Sequence, residues 1–448
     1  MNHNLVEIGF AGRTNSGKTT AIRTLMRKAV GVVGDRPNVT QVAEKFPSSL
    51  ENPSANKHIG IQAIFVDCPG FQMASLSRHF IDKLEELLKL DAKAKYDARA
   101  IEALKEVDIV IYVATLEDVP NDDYVNEIEL IKSLKKPCIV ILNKFRKRSD
   151  KGSERSTMER AKLWKVRVRE VCDFPVMDFD AHWQNPSSTK ELYQHIKECL
   201  PKDCSVVFEE GLKNFYKHQD QIRKDISTAF VNLIKNCREK VNVIEITGKD
   251  TVEKKLKEQA YRATQEFFLK ISEIYKLSAS PNANDRFSFN HSSNTNFWDM
   301  VTNGAAGAGG GAAIGSAVGA VVGAVVGFFG GAGIGVGPGA LAGAQIGGAI
   351  LGTLGGSGGF IVGIDNRHQG QISEQYLAVI FDRAIGLSYA MASHGFGLGS
   401  NLRDEDITAM MERAKELRIK NYSNIKLLSA SDEEISNLAQ NLLRVMET

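Results

Sequence analysis

The sequence predicts a two-part protein: an α/β domain built on a doubly wound parallel sheet, then an all-α domain interrupted by a glycine-zipper helical hairpin. Three observations carry this reading. Up to about Leu200, short apolar runs alternate with helical patterns, the order expected of strand, helix and strand units around a parallel sheet. Beyond Pro201 the strand signal fades and apolar residues recur at helical spacing. Between Asp299 and Asp365 no side chain is charged, and glycine stands at every fourth position from Gly307 through Gly347.

The strands of the first part are expected at Val6–Phe10, Ile59–Val66, Ile109–Ala114, Cys138–Leu142 and Pro175–Phe179. Helices are expected at Thr19–Lys28, Asp122–Leu134, Glu154–Val171 and Thr189–Cys199. A charged stretch from Met73 to Lys105 is longer than a minimal domain of this kind needs and reads as an added helical segment or a solvated surface helix. Next, Phe208, Leu212, Phe215, Ile222, Ile226, Phe230, Leu233, Cys237 and Val241 mark one long amphipathic helix, and a second runs from about Thr251 to Leu277. After the glycine repeat, helical patterns return at Ile372–Met391, Asp404–Lys420 and Ser431–Met446. The expected divisions are residues 1–202, 203–299, 300–364 and 365–448, the third being the hairpin and its neighbours the two parts of one helical domain.

Composition narrows the function classes. The 448 residues suit several domains, given about 100–200 residues per domain. The 56 basic and 54 acidic residues nearly cancel, so bulk charge calls for neither nucleic acid nor an anionic membrane, and nucleic acid is not an expected partner. The six cysteines form no C-x-x-C pair, and the start MNHNLVEIGF lacks the pattern of a signal peptide. The expected compartment is the cytoplasm.

The segment GRTNSGKT, Gly12 to Thr19, fits G-x-x-x-x-G-K-[ST] between an apolar strand, VEIGF, and a helical pattern. Its glycines, Gly12 and Gly17, let the backbone curl so that N–H groups at Asn15, Ser16 and Thr20 face phosphate oxygens, aided by the positive helix end. Lys18 would place a cation at the β- and γ-phosphates, and the Thr19 hydroxyl would ligate Mg²⁺. In IFVDCPG, Asp67 and Gly70 have D-x-x-G spacing at a strand end. Asp67 would hold Mg²⁺ through water, and the Gly70 N–H would bond the γ-phosphate, so that triphosphate and diphosphate are told apart. Between the two motifs lies DRPNVTQ, whose Thr40 is the candidate hydroxyl for Mg²⁺ and the γ-phosphate. An ordinary turn threonine is the other reading of Thr40.

GRTNSGKT, DRPNVT and DCPG, in that order, resemble the translation-factor-related GTPases of the Era and TrmE type over about Val6 to Leu200. The wider layout is similar to bacterial proteins that join such a P-loop GTPase-type domain to a C-terminal helical domain of unknown function with a glycine-rich stretch. The resemblance implies GTP and GDP as ligands and GTP hydrolysis with Lys18, Asn15, Thr40 and Gly70 in the catalytic machinery. It also implies that Asn15 binds K⁺, which would complete the charge around the transferring phosphate. The competing reading of Asn15 is a loop asparagine in an unusual dihedral. Phe71 stands where Ras-like enzymes carry the water-orienting glutamine, and a phenyl ring cannot hydrogen-bond that water, so hydrolysis is expected to be slow. K⁺, an ordered switch or a second subunit would supply what is missing, which puts a homodimer among the expected partners.

Asn143 and Lys144 match the start of the family's N-K-x-D motif, but Arg146 stands where the guanine-reading aspartate belongs. A carboxylate suits two adjacent donors on a base, so GTP competes with a looser base choice, and Asp150 is the substitute carboxylate nearby. FDAHW occupies the place of the last base loop, with Ala181 as its matching residue.

Glycines spaced by four form a slowly winding stripe on a helix that lets a second helix approach closely. GIGVGPG, from Gly333 to Gly339, would be the turn, and each arm is long enough to cross about 30 Å of hydrocarbon. The expected roles for residues 300–364 are conditional association with the inner membrane, a hairpin buried in protein, or a flexible linker. The functional expectation is a slow GTPase that switches a helical domain. Its rivals are a nucleotide-binding scaffold with little turnover, a dynamin-like remodelling machine and an Era-like ribosome or RNA factor.

Overall fold

The structure, a computed structural model, describes residues 5–27, 30–32, 40–48, 50–52, 57–59, 63–91, 93–144, 151–242, 249–275, 361–362, 369–394 and 404–447. Contacts divide the chain into two units, Met1–Asp220 with Ser393–Gly399, and Gln221–Ala392 with Ser400–Thr448.

In the first unit, the strands are β1 (Val6–Ala11), β2 (Glu44–Pro47), β3 (Leu50–Asn52), β4 (Lys57–Ile59), β5 (Ala63–Asp67), β6 (Ile109–Thr115), β7 (Cys138–Asn143) and β8 (Val176–Asp178). Six of them form one sheet in the order β2-β5-β1-β6-β7-β8, parallel except for β2, which runs antiparallel to β5. β3 and β4 pair separately, antiparallel, so the expected continuous strand Ile59–Val66 is described as the end of β4 and the start of β5. β2 carries no apolar alternation, and its Pro47 suits an edge, which is why no sequence signal marked it.

The helices of this unit are α1 (Lys18–Met26), α2 (Ala74–Ser77), α3 (Leu84–Leu90), α4 (Ala94–Glu106), α5 (Asp122–Ser133), α6 (Lys151–Val171), α7 (Pro186–Cys199) and the start of α8 (Lys202–Arg238). Alternate residues of β6 serve opposite cores, as the pleat requires. Val110, Tyr112 and Ala114 pack with Ile101 and Leu104 of α4, Ile128 and Ile131 of α5, and Trp164 and Val168 of α6. Ile109, Ile111 and Val113 pack with Ile22 of α1, Leu192 and Ile196 of α7, and Phe208 and Leu212 of α8. The doubly wound sheet follows, with β1, β5 and β7 delivering Gly12, Asp67 and Asn143 to the edge where such folds bind ligands.

The added stretch after Asp67 is helical, comprising α2, a 3-10 turn at Arg78–Phe80, α3 and the start of α4. It has a small core of its own, in which Leu87, Ala94 and Ala98 meet Met73, Leu76, Phe80 and Leu84.

In the second unit, the end of α8 is joined by α9 (Lys249–Ile274), α10 (Glu374–Ser393, whose last residue falls in the first unit), α11 (Asp404–Tyr422) and α12 (Asp432–Met446). Phe230 stacks its edge on Phe267 at 4.7 Å and meets Phe381 at 5.3 Å. Arg418 holds Asp382 with two nitrogens, at 2.5 and 2.9 Å. The Glu374 carboxylate accepts from the Leu427 and Leu428 N–H groups at 2.7 Å each, and α12 starts in a capping box of Ser431 and Glu434.

The second part is helical as expected, with one small sheet added to it. β9 (Val241–Asn242), β10 (Ile361–Val362) and β11 (Gln369–Ile372) form an antiparallel sheet in the order β10-β11-β9, each strand too short for a period-two pattern to show in the sequence. β10 also makes the end of the expected 300–364 hairpin a strand. The rest of that hairpin, residues 300–360 and 363–364, lies outside the described residues. Among the described residues, no helix is long and apolar enough to cross a membrane.

Phe230 is fully buried between two aromatic partners, so Phe230→Ala removes edge contacts and leaves a cavity costing about 3–5 kcal/mol. In denaturant titrations followed by circular dichroism, the helical transition should shift to lower denaturant by an amount matching that loss.

Candidate functional site

Gly12, Asn15 and Gly17 all have positive φ, at 137°, 64° and 94°. Glycine meets that demand without strain, and asparagine tolerates the left-handed region. The exposed Asn15 therefore meets a backbone requirement of the loop whatever else it does. The curl faces the start of α1. Lys18, buried in the loop, donates from Nζ to the carbonyls of Gly12 (3.1 Å) and Arg13 (3.0 Å), which commits two of the three ammonium donors to the loop. Burial lowers the Lys18 pKa, and the nearby Asp67 and Glu127 oppose that shift.

Three expected metal-site oxygens converge. The Thr19 hydroxyl donates to Asp67 Oδ2 at 2.5 Å, the Thr40 hydroxyl donates to the same oxygen at 3.1 Å, and the two hydroxyls lie 3.5 Å apart. The other carboxylate oxygen, Asp67 Oδ1, is buried without a hydrogen-bond partner among the described residues. A hard-oxygen set with an unsatisfied carboxylate oxygen fits Mg²⁺, which takes few protein ligands and keeps water on the others. Burial raises the Asp67 pKa, against the pull of the Lys18 ammonium and the two threonine hydroxyls.

The D-x-x-G loop lies directly on this curl. The Cys68 N–H donates to the Phe10 carbonyl (3.3 Å) and the Phe71 N–H to the Gly12 carbonyl (3.2 Å). A Cβ at Gly70 would come within 2.6 Å of the Thr14 nitrogen, so only glycine permits this approach. The Phe71 ring is fully buried in the sheet core.

At the end of β7, Asn143 ties three loops together. Its Nδ2 donates to the Ser16 carbonyl (2.9 Å), while its Oδ1 accepts from the Lys144 N–H (2.8 Å) and the Ala181 N–H (3.0 Å). Lys144, at φ 63°, extends its ammonium to the Asn15 carbonyl (3.5 Å) and Glu117 (2.5 Å). The Ala181 carbonyl accepts from Thr24 Oγ1 (2.5 Å), and the carbonyl of buried Thr20 accepts from the same hydroxyl (3.0 Å). Ser16 Oγ is buried without a hydrogen-bond partner among the described residues. Arg146 and Asp150 lie outside the described residues. The loop at 180–184 is also held from far along the chain, since the Gln184 N–H donates to the Ser393 carbonyl at 2.8 Å.

Sequence reading missed the support beneath the curl. Arg13 binds Asp123 (2.8 Å) and Glu127 (3.3 Å) and lies over the Tyr124 ring at 4.6 Å. Tyr112 donates its hydroxyl to Glu127 at 2.9 Å. A signal was present: Tyr124, Glu127, Ile128 and Ile131 share one buried helical face, so Glu127 is a carboxylate in an apolar stripe.

This geometry defines a P-loop nucleotide-binding domain. The family model described as 50S ribosome-binding GTPase matches residues 7–144. GTPase Era of Heliobacterium modesticaldum is 28% identical over 138 residues, covering 31% of this chain and 39% of that protein. GTPase Era of Ureaplasma urealyticum is 28% identical over 199 residues, covering 44% of this chain and 56% of that protein. The chain thus spans less than two thirds of these relatives' own length. A solved structure of Era with MgGDPNP and nucleotides 1506–1542 of 16S ribosomal RNA aligns at a TM-score of 0.31 and 19% identity, over 44% of this chain and 57% of that one. Residues 7–144 thus form a P-loop GTPase-type domain similar to that of GTPase Era.

Burial raises the Glu127 carboxyl to about 7, against the pull of the Tyr112 hydroxyl and Arg13. An unfolded chain ionises this group near 4.5. Stability should therefore fall as pH rises from 4.5 to 7 and level off above, by about 3 kcal/mol at about 1.4 kcal/mol per pH unit. Glu127→Gln should remove that slope in denaturant titrations between pH 5 and 8.

Proposed function

We propose that the chain binds GTP with Mg²⁺ and hydrolyses it slowly, using the exchange of GTP for GDP to alter its C-terminal helical part. The convergence of the Thr19, Thr40 and Asp67 oxygens beside Lys18 carries this reading. Lys18, the N–H groups of the curl and the Gly70 N–H bind the phosphates. Thr19 and Thr40 with Asp67 hold Mg²⁺, which neutralises developing charge on the β- and γ-phosphate oxygens. Lys144 and the 180–184 loop flank the base, with Asn143 fixing their separation.

Slow turnover is supported by the burial of Phe71, which leaves no side chain at that position to orient water. K⁺ at Asn15 is the proposed compensation; the positive φ of Asn15 gives an independent reason for asparagine, so only a cation test separates the two. The uncharged sequence of residues 300–364 supports membrane association as the output. A second reading, a ribosomal partner, is favoured by the description of the matched family. The expectation against nucleic acid is accordingly not carried forward.

Binding of fluorescent GDP and GTP analogues to wild type and Lys18→Ala tests the site. The variant should lose at least about 100-fold in affinity, in line with truncating one partner of a buried charge pair; unchanged affinity would sink the assignment. Turnover should be faster in K⁺ than in Na⁺, and equal rates would remove Asn15 from the mechanism while leaving GTP binding intact.

A further inference from the structure

Directly after the D-x-x-G loop, one carboxylate from a different element takes hold of the chain. Asp97, on α4, is completely buried. Its Oδ1 accepts from the Gln72 N–H at 2.8 Å. Its Oδ2 accepts from the Met73 N–H at 3.1 Å and from the Ser77 hydroxyl at 2.9 Å. These donors begin one residue after Phe71 and extend into α2. The segment is therefore clamped twice: Phe71 N–H on the Gly12 carbonyl, then Gln72 and Met73 on Asp97.

A carboxylate is costly at such a position. Burial pushes its pKa up, and the donors from Gln72, Ser77 and Met73 only partly offset this. An apolar residue would fill the space but remove the acceptor of the Gln72 and Met73 N–H groups, each hydrogen bond being worth about 0.5–1.5 kcal/mol. Asparagine would supply one acceptor oxygen and turn an N–H group toward other donors. Of side chains that size, only aspartate accepts from three donors through two oxygens.

The consequence lies at Gly70. Its backbone is pressed against Thr14 on one side, and the chain leaving it is fixed by Asp97 on the other. We propose that Asp97 is a positioning residue for triphosphate recognition, holding the Gly70–Phe71 backbone in register with the phosphate loop from α4. The inference rests on the GTP-binding reading above. It also gives the helical segment at 74–90 a role, because Ser77 donates to the same carboxylate and the small core around Leu87 packs that segment against Ala94 and Ala98 of α4. Diphosphate binding, which uses the curl and Lys18, does not depend on this register.

The test is equilibrium binding of fluorescent GDP and a non-hydrolysable GTP analogue to the full chain, for wild type, Asp97→Asn and Ser77→Ala, with melting temperatures recorded. Asp97→Asn should keep GDP affinity within about threefold and weaken the GTP analogue by about 10-fold or more, the scale of a buried hydrogen bond lost. Ser77→Ala removes one donor and leaves the carboxylate; it should shift the same ratio by a smaller factor, about threefold, and it carries the test if Asp97→Asn does not fold. Equal losses for both nucleotides, or no loss for either, would overturn the positioning role. Failure of wild type to bind either nucleotide would overturn the GTP-binding reading and this inference with it.

Discussion

The backbone from Gly12 to Gly17 must stay curled for any of this site to exist, and isolated chain has no reason to keep that shape. Three of its residues sit at positive φ, and its carbonyls turn inward where other groups must meet them. Lys18 holds the carbonyls of Gly12 and Arg13, Phe71 donates to the Gly12 carbonyl, and Asn143 holds that of Ser16. The N–H groups on the opposite side are then presented together, which is what an anion requires. Each holding group arrives from the end of a different strand or the start of a helix, so the sheet order is itself a condition of the curl.

Beneath the curl, the fold spends stability on buried charge. Asp67, Asp97, Glu127 and Lys18 are all nearly inaccessible. Each carries a desolvation penalty that shows in its shifted pKa. Hydrogen bonds to backbone N–H groups and hydroxyls offset part of it. Such groups fix geometry more than they add stability, and here the geometry is the spacing between the phosphate loop and the segment after Asp67.

Much of this was legible in the sequence. The four central strands β5, β1, β6 and β7 show as apolar runs because both their faces are buried, and the long α8 shows as an unbroken helical stripe through Phe208, Leu212 and Phe230. GRTNSGKT, Asp67, Gly70, Thr40 and Asn143 are readable from motif spacing, and the structure brings them together around one loop. The edge strand β2 and the short strands β9 to β11 were not, since a few residues pairing at an edge need no apolar period. Asp97 and Glu127 went unread for another reason: an acidic residue in a helix is ordinarily on the solvated face. Their position betrays them only when neighbours are counted, with Asp97 between Ala94, Ala98 and Ile101 as Glu127 is between Tyr124, Ile128 and Ile131.

In the function proposed for this chain, the converging oxygens of Thr19, Thr40 and Asp67 form a cation site that serves a guanine triphosphate. Titration calorimetry of the full chain with GTP, GDP and ATP, with and without Mg²⁺, tests it most directly. Tight binding of GTP that weakens markedly when Mg²⁺ is removed, with ATP bound far more weakly, is the predicted result. Affinity for GTP that is indifferent to Mg²⁺, or no measurable binding of any of the three, would contradict it.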